Sequence, residues 1–454
     1  MGLRELTGTV YFRLSNWVAD HNGEILWAFV FGILFALIAW FLVPPKPDTY
    51  SIYVLADHHT DTSTMNLLLS RAASSLEMPI RRVGVDHVSV QIQIDQLRDD
   101  LETTVRKEAE AIAQRSDALL VIGDLPSQLA ETSLRVFFEA RPQIPFIATV
   151  SSDDNLLSQC GPQSKCFDHD QFAPLLQLSP SNKAQGKSAV TYATIQGKRR
   201  FLIAFDNDSQ NATYTANLVT AYGAAIGDFN QSIKDGQDAG NTPAVVVGEY
   251  RMDQPPNLNA LKAWNADCIR YAGGMGEGLS LLTALAEAKL PTMVIFSDST
   301  VEDAFTPGQL KGFGGTLFTN QIDASDYNEH KNVYVEDAFT IAGQLIDDVY
   351  SRGGDMKLRV KSFVHLQTAR DVRANLVNVM RENAISHSWY KGSEPDSIYA
   401  FDKFQRFGGL FHVWQLKSAS AVGAEMDDVD HWHVPRATPK AVKQKITSAS
   451  AVSP

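Results

Sequence analysis

The sequence predicts an α/β protein: two lobes built from βα units, preceded by one transmembrane helix. Three observations carry this. Apolar runs of strand length alternate with helix-like segments from about residue 50 to residue 298. Those strands are apolar throughout rather than alternating, as expected when a parallel sheet is covered on both faces. And one stretch without a single charge, ILWAFVFGILFALIAWFLV, fills residues 25–43.

The chargeless run comes first in the chain. At about 1.5 Å per residue it reaches roughly 28 Å, close to the thickness of a bilayer's hydrocarbon core. Trp27 and Trp40 stand near its ends, where amphipathic rings favour the interface, and Pro44, Pro45 and Pro47 stop the helix. The segment before it, residues 1–24, is long for a signal-peptide start, and no small-residue cleavage pattern follows the run. The reading is an uncleaved anchor in the inner (cytoplasmic) membrane. Arg4 and Arg13 against the lone Lys46 place the N-terminus in the cytoplasm and the bulk of the chain in the periplasm or outside the cell.

After the anchor, YSIYVLAD reads as a strand and TSTMNLLLSRAASSL as a helix; IRRVGVDHVSV reads as a further strand. An amphipathic helix over DQLRDDLETTVRKEAEAIAQRS follows, then the strand DALLVIGDLP, the helix SQLAETSLRVFFEARP and the strand IPFIATVSS. A polar segment, 153–171, interrupts the alternation. A second series resumes with the helix NKAQGKSAVTYATIQG and the strand RRFLIAFDND, and closes with the strand PTMVIFSDS. Beyond 299 come two longer helical patterns, then a strand–turn–strand pattern with Gly408-Gly409 near its turn, and from about 418 a Ser/Ala/Pro/Lys-rich stretch that reads as a flexible tail. The boundaries that follow are 48–176 plus 299–395 for the first lobe, 177–298 plus 396–416 for the second, and 417–454 for the tail.

Composition excludes some classes. The formal net charge of −12 with no long basic block argues against nucleic acid as a partner. No nucleophile-elbow, zinc-protease, paired-cysteine redox or P-loop motif is present, so the chain does not read as an enzyme, and no cofactor is expected. Cys160 and Cys166 bracket a turn, GPQSK, and outside the cytoplasm they would form a disulfide; a metal site using His169 lacks a fourth ligand. Cys268 sits in an apolar run and reads as a buried thiol. The cluster DHHTD at 57–61 offers adjacent histidines that cannot easily face one ion, so no metal is assigned.

Four stretches, in this order, resemble one family. DALLVIGDLPSQLAETS…IPFIATVSSDDNLL is similar to a strand ending in Gly plus a small hydroxyl residue, then a strand ending in a Ser cluster. LLQLSPSNKAQGKSAVTYAT is similar to a crossover into a second lobe. RRFLIAFDNDSQNATYTANLV matches a strand with a terminal acid before a tyrosine-bearing helix. YAGGMGEGLSLLTALAEAKLPTMVIFSDS carries a Gly-rich turn, a helix and a strand. The closing YAFDKFQRFGGLFHVWQL is a weaker fifth match. Together, over about 50–416, they resemble the branched-chain amino-acid (Leu/Ile/Val-type) substrate-binding proteins of ABC transporters, which have the type I periplasmic binding-protein fold. The resemblance implies two Rossmann-like lobes joined by three crossings, with a ligand bound between them.

It also implies roles. Ser127, Ser151 and Ser152 would hold a ligand carboxylate, Asp298 would face its ammonium, and Tyr214 and Tyr271 would wall the cleft. Asp57, Asp206, Gly274 and Glu277 stand at strand ends or a helix start on the same side. Each has an alternative in the local chain: a helix cap for Ser127 and Asp298, a loop cap for Ser151 and Ser152, its own turn for Asp206, and the helix dipole for Glu277. The run GGMGEG at 273–278 fails the dinucleotide spacing and falls late in the second series, so the glycines are read as permitting close backbone approach. The expected function is capture of a small polar, amino-acid-like solute for an ABC permease. The alternative is a sensing ectodomain acting through a signalling partner in the membrane.

Overall fold

The computed structural model describes residues 49–57, 89–154, 156, 172–206, 212–237, 241–252, 255–300, 310–320, 333–352, 369–385, 389–392, 398–400, 412–420 and 423–431, with positions 23, 27, 29–34 and 70. Cys160, Cys166, His58, Asp208 and Gly408-Gly409 lie outside the described residues, as does most of the 25–43 run. The chain falls into two compact units, Met1–Asp48 and Thr49–Pro454. In the first unit residues 29–34 are helical and exposed. Among the described residues no helix is long and apolar enough to cross a membrane.

The second unit holds two sheets. The first starts from β1 (Thr49–Ala56) and β2 (Ser89–Gln96), followed by helix α1 (Glu102–Gln114). Next come β3 (Ala118–Asp124), α2 (Ser127–Glu139), β4 (Phe146–Ala148) and β5 (Leu175–Gln177). The spatial order is β2-β1-β3-β4-β5, and every pairing is parallel. Ile52, Val54, Leu120 and Ile122 are fully buried, as their continuous apolar runs require. Helix α1 begins later than the amphipathic pattern suggests. Residues 91–96, QIQIDQ, pair with β1 as strand, because their period-2 alternation fits an edge position better than a helix face.

The second sheet repeats the plan. Helix α3 (Asn182–Ile195) leads to β6 (Arg200–Phe205), α4 (Ala212–Lys234), β7 (Val245–Arg251), α5 (Leu258–Trp264), β8 (Cys268–Ala272), α6 (Met275–Glu287), β9 (Met293–Phe296) and β10 (Leu317–Asn320). These strands run parallel in the order β7-β6-β8-β9-β10, which is the 2-1-3-4-5 order of the first sheet. Glycine appears where two helices touch: a Cβ on Gly186 of α3 would lie 2.8 Å from the Ala221 carbonyl of α4. Cys268 is fully buried in this sheet, and burial pushes its thiol up to about 12.

The rest of the chain returns to the first sheet and comes back. Helices α7 (Val333–Arg352) and α8 (Ala369–Ile385) pack on the β1–β3 face, with Phe339, Ile341, Leu345, Leu376 and Met380 in one core with Ile52 and Ile122. The hairpin β11 (Trp389–Lys391) and β12 (Ile398–Ala400) buries Tyr390 and Tyr399 in the same core. Helices α1 and α2 cover the opposite face. The chain then joins the second sheet as β13 (His412–Ser420), antiparallel to β10, with β14 (Gly423–His431) at the edge. Thus the chain passes between the sheets three times, after β5, after β10 and after β12.

Two placements differ from the sequence boundaries. β10, inside 299–395, belongs to the second sheet. Residues 417–431, read as tail from their Ser/Ala-rich composition, extend β13 and form β14; an open sheet edge offers backbone hydrogen bonds whatever the side chains are.

Candidate functional site

In a doubly wound sheet of 2-1-3-4-5 order the chain reverses direction between the first and third strands, and ligands bind beyond the carboxyl ends there. In the first sheet that place is flanked by Asp57 after β1 and Asp124 at the end of β3. The Asp57 N–H donates to the Asp124 carbonyl at 3.1 Å. Three residues on, Ser127 opens α2 after Pro126, whose extended backbone sets the helix start. The first bond inside the helix runs from the Ala130 N–H to the Pro126 carbonyl, 2.9 Å. The earlier N–H groups therefore have no acceptor within the helix. Pro126 is the N-cap and Ser127 the first residue of the helix; Ser127 is buried, and among the described residues its hydroxyl takes part in no hydrogen bond. A hydroxyl and a helix start together suit an anionic ligand group.

Ser151 and Ser152 are placed differently. The Ser151 hydroxyl donates to the Leu125 carbonyl at 2.7 Å, and the Ser152 hydroxyl to Asn182 Oδ1 at 2.8 Å. The Asn182 N–H returns a bond to the Ser152 carbonyl at 2.7 Å. Gln177 Nε2 donates to the carbonyls of Ser151, 2.7 Å, and Asp153, 3.2 Å. These groups fasten the loop after β4 to the start of α3. Both serine hydroxyls are engaged by the protein at the first crossing between lobes.

In the second sheet the corresponding place lies between the ends of β6 and β8, and Asp206 fills it. Asp206 Oδ2 accepts from the Gly274 N–H at 2.8 Å, and Oδ1 accepts from the Thr215 hydroxyl at 3.1 Å. The carboxylate thereby caps α6 and ties it to the first turn of α4. This is why Gly273 is glycine: its φ is +150°, and a Cβ would lie 2.5 Å from the Asp206 carboxyl. Tyr271, expected at a cleft wall, is instead fully buried and donates its hydroxyl to the Gly274 carbonyl at 2.9 Å. Gly274 is the N-cap of α6 and Glu277 lies in its first turn.

That leaves β9. Phe296 ends it, and a 3-10 turn, Asp298–Thr300, follows. Asp298 Oδ1 accepts from Gln185 Nε2 of α3 at 2.5 Å, from the Ser299 N–H at 3.1 Å and from the Tyr214 hydroxyl of α4. Among the described residues Oδ2 takes no hydrogen bond, and Asp298 keeps part of its surface exposed. Burial raises the Asp298 carboxyl above the usual carboxylate range, opposed by the bonds from Tyr214, Gln185 and Ser299. Burial first, and the Asp298 charge second, push the Tyr214 hydroxyl far up, so Tyr214 stays a neutral donor. Behind Gln185 stand two residues the sequence reading missed. The Tyr222 hydroxyl donates to Gln185 Oε1 at 3.1 Å, and the Arg270 guanidinium lies over the Tyr222 ring at 4.3 Å. One signal was on view: Arg270 is a lone charge inside an apolar strand.

Several solved structures superpose over most of the chain. The ABC transporter substrate-binding protein from Desulfitobacterium hafniense, in complex with Leu, matches at TM-score 0.53 and 16% identity, covering 84% of this chain and 100% of its own. The Leu-, Ile-, Val-, Thr- and Ala-binding protein from Brucella ovis, in its closed conformation, matches at 0.55 and 13%, covering 85% and 95%. The chain has the type I periplasmic binding-protein fold. A solute-binding protein of an ABC transporter from Rhodopseudomonas palustris BisB5, in complex with 3,4-dihydroxybenzoic acid, shares this type I fold at 0.51 and 10%, covering 85% and 98%. No protein-family model and no curated protein matches the sequence.

Proposed function

We propose that this chain is an extracytoplasmic solute-binding protein that closes its lobes on a small amino-acid-like ligand. The observation that carries the reading is the half-occupied carboxylate of Asp298. One oxygen is fixed by three donors and the other has no protein partner among the described residues, which suits a cationic ligand group. On the other lobe the Ser127 hydroxyl at the start of α2 suits a carboxylate. Leu and 3,4-dihydroxybenzoic acid, the ligands named for two structures of this fold, both carry a carboxylate; only Leu also carries an ammonium, the group that Asp298 complements. The chain acts by binding and not as an enzyme, and it hands its solute to an ABC permease. The chargeless run at 25–43 tethers it to the inner membrane with the lobes outside the cytoplasm; the exposed Trp27, Phe29 and Phe31 of its helical part support that placement.

The test is a thermal-shift screen of the full chain in detergent against L-amino acids, amides, sugars and aromatic acids. A ligand at a hundred times its Kd adds about 2.7 kcal/mol to the folded state. The expected result is a melting temperature raised by one or more amino acids and not by the sugars. A screen in which no amino acid moves the transition overturns the reading.

A further inference from the structure

Arg270 is the feature that the binding reading leaves unexplained. It sits on β8, in the interior of the second sheet between β6 and β9, and is fully buried. Its Nη1 donates to the Ile295 carbonyl at 2.9 Å, while Nε and Nη2 have no hydrogen-bond partner among the described residues. No carboxylate touches it among the described residues. A buried charge without a counter-ion is costly, on the order of what a domain can lose before it unfolds. Its contact is the face of Tyr222, and a cation over an aromatic ring recovers only part of that cost.

The hydrogen-bond polarity explains what the cation does. A carboxylate only accepts, so the Gln185 atom on Asp298 Oδ1 must be its NH₂, and its carbonyl must face Tyr222. Gln185 Oε1 can only accept, so the Tyr222 hydroxyl donates to it, and the Arg270 cation over the Tyr222 ring makes that hydroxyl a stronger donor. The hydrogen bonds of Tyr222–Gln185–Asp298 therefore both run one way, from a ring under a buried cation to a partly exposed anion. Gln185 and Tyr222 are fully buried, and α3 and α4 that carry them are locked together at Gly186. The amide has no other orientation that satisfies both neighbours.

We infer that Arg270 is a positioning residue for Asp298: acting through Tyr222 and Gln185, it pins Oδ1 inside the lobe and leaves Oδ2 as the oxygen offered to a ligand cation. This rests on the reading that Asp298 is the ligand's partner, but the relay exists without a ligand and is tested without one. The titratable and charged groups of the cluster are Tyr214 and Tyr222 on α4 and Arg270 on β8; Gln185 on α3 and Ser299 are neutral.

The experiment follows the side-chain carboxyl of Asp298 by carbon-13 NMR in the full chain, with the resonance identified by its loss in Asp298→Asn. In Arg270→Met its titration midpoint is expected to rise by about one pH unit, because the ionised form loses its compensating cation. Arg270→Lys keeps the charge and is expected to return the midpoint toward the original. Tyr222→Phe keeps the ring and removes only the donor; it is expected to raise the midpoint by about half a unit, and it decides the matter alone if Arg270→Met does not fold. A folded Arg270→Met, or Tyr222→Phe, whose Asp298 midpoint stays where it was overturns the inference and leaves Arg270 a packing residue. L-leucine, added to the unaltered chain and to Tyr222→Phe, separates the two readings. A shifted midpoint with no leucine binding to either protein upholds the relay and counts against the binding reading; an unshifted midpoint with leucine bound does the reverse.

Discussion

Asp298→Ala is expected to weaken binding of an amino-acid ligand at least thirtyfold. Removing one partner of a hydrogen-bonded charge pair at an interface costs about 2–5 kcal/mol, and about 1.4 kcal/mol corresponds to a factor of ten. Asp298→Asn should lose most of the same affinity, because the amide can still accept from Gln185 on one side but brings no charge. The two substitutions should also reveal a trade-off in the unliganded protein. Burial raises the folded-state pKa of Asp298 above its unfolded value. A group shifted in that direction contributes stability below its unfolded pKa, and that contribution is lost as pH rises through the folded pKa. At neutral pH the ionised carboxylate is thus a burden on the empty fold, and Asp298→Asn should be at least as stable as the original while binding worse. Affinity should fall as pH drops through the raised pKa, since the protonated acid no longer attracts a cation. Calorimetric titration and thermal melts of the same samples check both halves. Undiminished affinity in Asp298→Ala would place the ligand elsewhere.

Phe296→Ala is expected to cost about 3–5 kcal/mol, the largest stability loss of any single change considered. Phe296 is fully buried at the end of β9. Its ring meets Tyr271 edge-on at 5.1 Å and stacks with Phe318 at 5.3 Å, a geometry that adds about 0.5–1.5 kcal/mol per pair beyond area. The helix α6 has shaped itself to this ring: a Cβ on Gly278 would lie 2.4 Å from Phe296 Cε1. Asp298 follows two residues later, so the truncation should loosen the site as well as the core. Urea unfolding measures the loss. A change below about 1 kcal/mol would mean that the aromatic stack does not hold β9, and the placement of Asp298 would need another cause.

The fold was legible because burial writes itself into composition. Runs such as ALLVIGD and FLIAF are apolar at every position only where both faces of a sheet are covered, and their alternation with helices leaves few topologies. β10 was not legible. Its residues LFTN form a short strand beyond a long gap, and pairing with β9 and β13 is decided by tertiary position. β14 was hidden for a similar reason: an edge strand held by backbone bonds needs no apolar pattern.

The candidate site was legible at its carboxylates and not in their division of labour. Asp206 and Asp298 both end strands, and the sequence treats them alike. The structure separates them by their neighbours: Asp206 has Gly274 and Thr215 on its two oxygens, while Asp298 has its donors on one. Ser127 and Ser151 differ in the same manner. Ser151 reaches the Leu125 carbonyl, while the Ser127 hydroxyl, at the first helical position after the Pro126 cap, has no hydrogen-bond partner among the described residues. Tyr222, Gln185 and Arg270 come from α4, α3 and β8, and only the packing of those elements brings them into one line. Two of the four glycines of GGMGEG have their explanation in Asp206 and Phe296, side chains that leave no room for a Cβ at Gly273 and Gly278.

Calorimetric titration of the full chain with the amino acid that stabilises it most, alongside the same molecule lacking its amino group, bears on the central claim without intermediaries. If Asp298 receives the ligand cation, the amino acid should bind at least thirtyfold more tightly than its deaminated analogue, and Asp298→Ala should erase most of that difference. Equal affinity for the two molecules would contradict it.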